Sequence, residues 1–297
     1  MCFPERPVRL VLGFSPGSAS DLIARALLTE LERALGQTVV VDLRQGEGGA
    51  LGAEIVARSL RDGHTLFMAT LGTHALAPYF SQSLPYHPQR DFTPVSVVAH
   101  MPLVLACHPS VEADSVGRLI ELARARPGIL TYASSAIGGA PHLAAELFQR
   151  MAKVQLRHVV YDSTEKLYDD LIAGRADMSF NNVLSMAPHV RSGALRGLAV
   201  TARARSEVLP SVPTMAEAAL AGYEVTNWLG IVAPAATPST VVAVLHKSIV
   251  AALTAPAVLG HFNAIGVEGW GSSPEEFAAH IDRELARWAP IAARCRL

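Results

Sequence analysis

The chain has little cysteine, few aromatic side chains and little charge for its 297 residues. Its three cysteines, Cys2, Cys107 and Cys295, include no close pair, which excludes a CxxC redox couple and the cysteine-rich zinc patterns. One bridge between Cys2 and Cys295 stays open as an expectation. Charged residues make up only 17% of the chain, too few for a disordered, solvating protein. The 25 Lys and Arg nearly cancel the 26 Asp and Glu, so no global field draws the chain to nucleic acid or an anionic membrane. The longest uncharged run, residues 225–245, is broken by Pro234 and Pro238 and reads as strand, turn and helix start, not as a membrane span. The opening residues show no export signal of the basic, apolar, small-residue kind, which leaves a cytosolic protein or one whose leader has been removed. GxxxxGK[ST], GxSxG and HExxH are all missing, which argues against a P-loop, a hydrolase nucleophile elbow and a zincin site. No cofactor and no metal centre is expected.

What is present is an apolar half, in a chain long enough to bury about three quarters of its unfolded surface and to form about two domains. Residues 8–14 are a short aliphatic run, hence a buried strand, and residues 20–35 follow with Ile23, Leu27, Leu31 and Leu35 at helical spacing before Gly36. Strands at 39–41 and 65–70 with a helix between them continue the pattern. It resumes with helices over 115–126, 140–151 and 165–173, and strands over 130–134, 155–161, 177–180 and 195–201. Alternation of this kind predicts an α/β fold with parallel strands. Two long extended stretches, 93–108 and 223–234, interrupt it. If both cross between lobes, residues 1–102 and 227–297 make one discontinuous lobe and 103–226 the other, with a ligand cleft between them. Ser273-Pro274-Glu275-Glu276 is a capping box opening a helix with Phe277, Ile281, Leu285 and Trp288 on one face.

Chemistry concentrates in loops of small residues. Phe14-Ser15-Pro16-Gly17-Ser18-Ala19-Ser20-Asp21 joins a strand to a helix, and unpaired amides at a helix start suit an anion such as a carboxylate. Read plainly, it is a tight turn with Ser20 as N-cap. Ser134-Ser135-Ala136-Ile137-Gly138-Gly139-Ala140-Pro141-His142 repeats that arrangement in the middle block. Two such helix starts facing each other would clamp one anion. Gly46-Glu47-Gly48-Gly49-Ala50-Leu51-Gly52 invites a dinucleotide reading, but Leu51 stands where the third glycine belongs and no acidic residue follows at the right distance. Thr70-Leu71-Gly72-Thr73-His74 ends a strand with groups that either orient a polar ligand or satisfy their own turn. His142 and Glu146 are spaced to share a metal, yet no third ligand is identifiable, so a helix-surface pair is the better reading. Asp169 and Asp170 read as a solvated face, and no catalytic constellation stands out.

At these loops the chain resembles the periplasmic substrate-binding proteins of tripartite tricarboxylate transporters, the Bug-type receptors. The resemblance runs nearly end to end: Pro4-Glu5-Arg6-Pro7-Val8, the FxPGGxxD-like loop ending at Asp21, Asp62-Gly63-His64-Thr65-Leu66, Gly72-Thr73-His74-Ala75, Tyr86-His87-Pro88, His142-Leu143-Ala144-Ala145-Glu146-Leu147-Phe148, Leu209-Pro210-Ser211-Val212-Pro213-Thr214 and the capping box. It implies a two-lobe, type II Venus-flytrap binding protein with two hinge-crossing strands. It further implies a periplasmic location after loss of a signal, a small organic carboxylate as ligand and a two-component membrane permease as partner. Carried over by position, the ligand-binding residues are Ser15, Gly17, Ser18, Gly48, Gly49, Thr70, Thr73 and His74 in the first lobe. In the second they are Ser134, Ser135, Gly138, His142, Tyr161 and Asn181. Three departures bear on the ligand: Ser18 replaces a usual glycine, Asp162 a usual lysine and Asn181 a common aspartate. Without that aspartate to meet an ammonium group, the pattern leans to a mono- or dicarboxylate over an amino acid. An enzyme using the same cleft, an isomerase or lyase, is the alternative; it would need a general base, with His74 and His142 as nominees. A sensor partner presenting its ligand-bound lobes to a membrane kinase is a third reading.

Overall fold

The computed structural model describes residues 3–81 and 83–292. Its elements begin with β1 (Val8–Leu12), α1 (Ala19–Leu35), β2 (Val39–Leu43), α2 (Ala50–Ala57), β3 (Thr65–Thr70), α3 (Ala77–Phe80) and the long β4 (Phe92–Cys107). The middle of the chain forms α4 (Val116–Ala125), β5 (Thr131–Ser134), α5 (Ala140–Ala152), β6 (Arg157–Val160), α6 (Thr164–Ile172), β7 (Met178–Asn182), α7 (Val183–Arg191), β8 (Arg196–Val200) and α8 (Met215–Ala218). The chain continues with β9 (Thr226–Pro234), α9 (Ser239–Leu253), α10 (Pro256–Ile265), β10 (Glu268–Gly269) and α11 (Pro274–Ala292). Two compact units result. The first holds the chain up to His100, then Trp228–Ala264 and the part from Glu268 on; the second holds Met101–Asn227 with Ile265–Val267. The chain therefore leaves the first unit inside β4 and returns inside β9.

In the first unit β1 pairs in parallel with both β2 and β3, and β9 runs antiparallel to β3, giving the order β2-β1-β3-β9-β4 with β10 beside β4. Val8, Leu10, Val11 and Leu12 are buried, as expected of a parallel strand covered on both faces. Ile23, Leu27, Leu31 and Leu35 form the buried stripe of α1, which packs on α9. The helix stops at Gly36, whose left-handed φ of 67° lets its N–H reach the carbonyl of Glu32. It starts two residues earlier than Ser20 would have it: Ser18 is the N-cap. The capping box before α11 forms as expected, with reciprocal bonds between Ser273 and Glu276. Phe277, Ile281 and Trp288 are buried, but Leu285 is only half so. The fourth covered position is Glu284, whose carboxylate accepts from the Trp288 indole at 3.0 Å.

The second unit has the order β8-β4-β7-β5-β6, with β5 parallel to β6 and β7 and with β4 antiparallel to β7 and β8. The two sheets thus share one plan: second strand, first, third, a strand arriving from elsewhere in the chain, and fourth. The sequence itself carries no detectable internal repeat. The core of this unit gathers Val104, Leu167, Tyr168, Leu171, Val183, Met186 and Val200 around β4. Cys107 lies there as a free thiol, pushed up to about 11 by burial. The Cys2–Cys295 bridge that the sequence leaves open lies outside the described residues. No single helix among the described residues is long and apolar enough to cross a membrane; α9 with α10 passes by length and composition only, as a pair bent by 66°. Leu245, Ile249, Leu253 and Phe262 of that pair are buried.

Candidate functional site

In each sheet the first and third strands lie side by side in parallel while the second lies on the other flank. Successive crossovers therefore leave in opposite directions at the first strand, and the carboxyl ends of the first and third strands flank a topological switch point. In the first unit the loops there follow β1 and β3; in the second they follow β5 and β7. Most of the residues singled out from sequence stand on these loops.

Three loops meet in the first unit. A Cβ on Gly13 would lie 2.6 Å from the Cα of Gly49, and one on Gly49 would lie 2.8 Å from the Thr73 methyl and 3.1 Å from the Phe14 ring. Gly49 also sits at φ +94°, so its lack of a side chain is what lets the loops after β1, β2 and β3 close together. Ser15 is half-exposed, Gly17 and Gly48 are exposed and Ser18 is buried. The Gly17 amide donates to the Asp21 carboxylate at 2.9 Å, and Asp21 also holds Arg25 at 2.7 Å. The Ser18 hydroxyl meets that of Ser20 at 3.1 Å.

Thr70, Thr73 and His74 behave as a self-contained turn. The Thr70 amide donates to the Thr73 hydroxyl at 3.0 Å, and the Thr73 amide donates to that of Thr70 at 3.1 Å. The Thr73 hydroxyl also meets His74 Nδ1 at 3.0 Å. Thr73 and His74 are both 0% exposed, with Phe67, Tyr86 and Phe92 around the imidazole and the Tyr86 hydroxyl donating to the Thr73 carbonyl. Burial pulls His74 down to about 3. In this structure, then, Thr73 and His74 order the loop, and the imidazole is neutral and enclosed.

The second unit repeats the arrangement with different details. Ser134 is 0% exposed, its hydroxyl 2.7 Å from His158 Nε2 and 3.2 Å from the Ala136 carbonyl it donates to. Gly138, at φ +75°, turns its amide inward to donate to His142 Nδ1 at 3.0 Å. Ser135 stays half-exposed. His142 is 7% exposed, so the expected surface pair with Glu146 is in fact a buried neighbour at 3.9 Å. Glu146 instead accepts from the Tyr132 hydroxyl and from Gln149, each at 2.7 Å. Tyr161 is buried, its hydroxyl pKa raised by burial and by the nearby Asp170, which pairs with Arg175. Asp170 is thus part of an ion pair. Asn181, at the end of β7, is 6% exposed and accepts from the Asn182 amide at 2.9 Å; the Asn182 side chain accepts from Asn227. Asp162 is exposed. Among the described residues no group of three His, Cys, Asp or Glu could hold a metal ion.

Sequence reasoning passed over His158 and Tyr132, and named Asp21 only as the end of its loop. Each supports a loop from a strand or helix interior, and only Asp21, an acid in the first turn of a helix, carries a local signal.

Parallel switch points in two units joined by crossing strands define the class of the periplasmic binding proteins. Residues 23–297 match the family described as tripartite tricarboxylate transporter family receptor, and the chain belongs to that family. Among curated relatives, the UPF0065 protein in the tcbD-tcbE intergenic region of Pseudomonas sp. strain P51 is 38% identical over 99% of this chain and 88% of its own. Protein BugT of Bordetella pertussis is 34% identical over 97% and 89%. Among solved structures, R. palustris Rpa4515 with adipate superposes with a TM-score of 0.94 at 36% identity, covering 98% of each chain. MatC from Rhodopseudomonas palustris with bound malate gives 0.92 at 30% identity over 98% of this chain and all of that one.

Proposed function

We propose that this receptor binds a small organic carboxylate, with aliphatic dicarboxylates first among them, and hands it to a two-component membrane permease. It acts in the periplasm and does not transform its ligand. The ligand is held in a cleft between the two lobes and stabilises a closed state through contacts the open state lacks. The observation that carries this reading is the placement of two small-residue loops, each opening a long helix, at the corresponding switch points of the two sheets. Amides at such helix starts favour an anion, and the relative solved with adipate shares 36% of its sequence with this chain. Ser15, Ser18, Gly48 and Thr70 are the first-lobe contacts in this reading, with Ser135 and Asn181 in the second. An amide at Asn181 offers no charge to an ammonium group, which favours plain acids over amino acids.

The test is a thermal-shift panel of mono-, di- and tricarboxylates, amino acids and nicotinate-like aromatic acids, with each ligand recovered and checked for chemical change. An acid at about 100 times its dissociation constant adds roughly 2.7 kcal/mol, raising Tm by several degrees. The expected result is a selective shift with a dicarboxylate such as adipate or malate, recovered intact. A shift from amino acids alone, or conversion of the acid, would overturn the proposal.

A further inference from the structure

We infer that His142 and His158 are the positioning residues of the second-lobe binding loop, and that His142 holds it only as a neutral imidazole. The inference rests on the carboxylate-receptor reading of that loop and adds what fixes its shape.

Two side chains that fasten the loop, residues 134–139, to the elements around it are histidines. His158 Nε2, reaching across from β6, meets the Ser134 hydroxyl at 2.7 Å. His142 Nδ1, from the first turn of α5, accepts the Gly138 amide at 3.0 Å. The two rings stack face to face, 4.6 Å between centroids and 11° apart, and Tyr132 stacks on His158 at 4.5 Å and 5°. Three planar groups on β5, β6 and α5 thus make one slab beneath the loop. Accepting an N–H at Nδ1 fixes the tautomer of His142: its proton is on Nε2. The imidazolium would carry a second proton at Nδ1, facing the Gly138 N–H, and the bond would be replaced by a clash of donors. Once its inward amide is released, Gly138 no longer fixes the direction of the Ser135, Ala136 and Ile137 amides, which are the ones left to meet a ligand.

The groups facing the pair are Glu146 and Gln149 of α5 and Tyr132 and Ser134 of β5. Glu146 is 3.9 Å from His142 Nε2 and spends its nearer oxygen on Tyr132 and Gln149. Burial pulls both imidazoles down to about 4, with His142 lowering His158 further and Glu146 opposing it. Both are therefore neutral at ordinary pH.

Substitutions that keep or remove the bonding atom test the assignment. His142→Asn keeps an acceptor near Nδ1 and His158→Gln a polar atom near Nε2, whereas His142→Leu and His158→Leu keep bulk alone. In unliganded protein, hydrogen exchange should show the Gly138 amide protected in the wild type and in His142→Asn, and unprotected in His142→Leu. Histidine 15N spectra should show His142 with Nδ1 bare between pH 7 and pH 5. Calorimetry with adipate at pH 7 should show both leucine variants binding about tenfold weaker or worse, with most of the affinity kept in the Asn and Gln variants. Thermal melts confirm that each variant is folded. Unchanged Gly138 exchange in His142→Leu, or a proton on Nδ1 of His142, overturns the inference. So does equal adipate affinity in all four variants. If the wild type binds none of the acids in the panel, the carboxylate reading fails, while exchange and tautomer still decide the positioning role.

Discussion

His74 shows how a polar side chain at a strand end can be structural. Its ring is enclosed by Phe67, Tyr86 and Phe92, and its Nε2 has no hydrogen-bond partner. A proton on that ring would be a buried, uncompensated charge, so burial lowers its folded value to about 3 against about 6.5 for an unfolded histidine. The stability contributed is complete above pH 6.5. As pH falls, the unfolded chain takes up the proton first, so stability is lost from about 6.5 down to about 3. Over that window this one residue steepens the pH dependence by up to about 1.4 kcal/mol per pH unit. Urea unfolding between pH 7 and 5 should show the slope, and His74→Phe should flatten it. A variant that keeps the wild-type slope would remove His74 from the account.

At the scale of elements, three loops of the first unit approach one another closely. Gly49 is where they touch, and it is strained for any other residue both by its φ of +94° and by the 2.8 Å approach of the Thr73 methyl. Gly49→Ala should cost about 2–4 kcal/mol in urea unfolding. Full stability in this variant would mean that the loops have slack. The glycine-rich stretch was visible in the sequence, as was its unsuitability for a dinucleotide. Its partners at Gly13, Phe14 and Thr73 were not, because they come from two other segments that only the sheet order β2-β1-β3 brings beside it.

At the scale of the molecule, the chain passes between units inside β4 and β9, and both segments are fastened within the second unit by one side chain. The Thr201 hydroxyl accepts from the Leu103 amide at 2.9 Å and donates to the Val225 carbonyl at 2.5 Å, while its own amide and carbonyl bond Leu103 and Val225. Thr201→Val keeps the shape but leaves the buried Leu103 amide unpaired, so urea unfolding should show a loss of about 1–3 kcal/mol. Thr201→Ser, which keeps the hydroxyl, should lose less. Equal losses in the two would assign the effect to packing instead of the hydrogen bonds.

The sequence by itself determined the α/β class, the positions of most strands and helices, the long extended stretches that became β4 and β9, and the loops that carry small residues. These are local properties: apolar period, capping residues and glycine stops depend on neighbours a few positions away. It also carried the family, through short motifs in fixed order. Only the tertiary structure decided which polar atoms in those loops are already spent. Gly17 gives its amide to Asp21 and Gly138 gives its own to His142, the Ser134 hydroxyl meets His158, and Thr73 closes on Thr70. A residue type states what bonds a group can make; which of them it makes depends on partners delivered by other strands and helices. His158 meets Ser134 because β5 and β6 pair in a register that sets Ser134 opposite Val160, across 24 residues of chain.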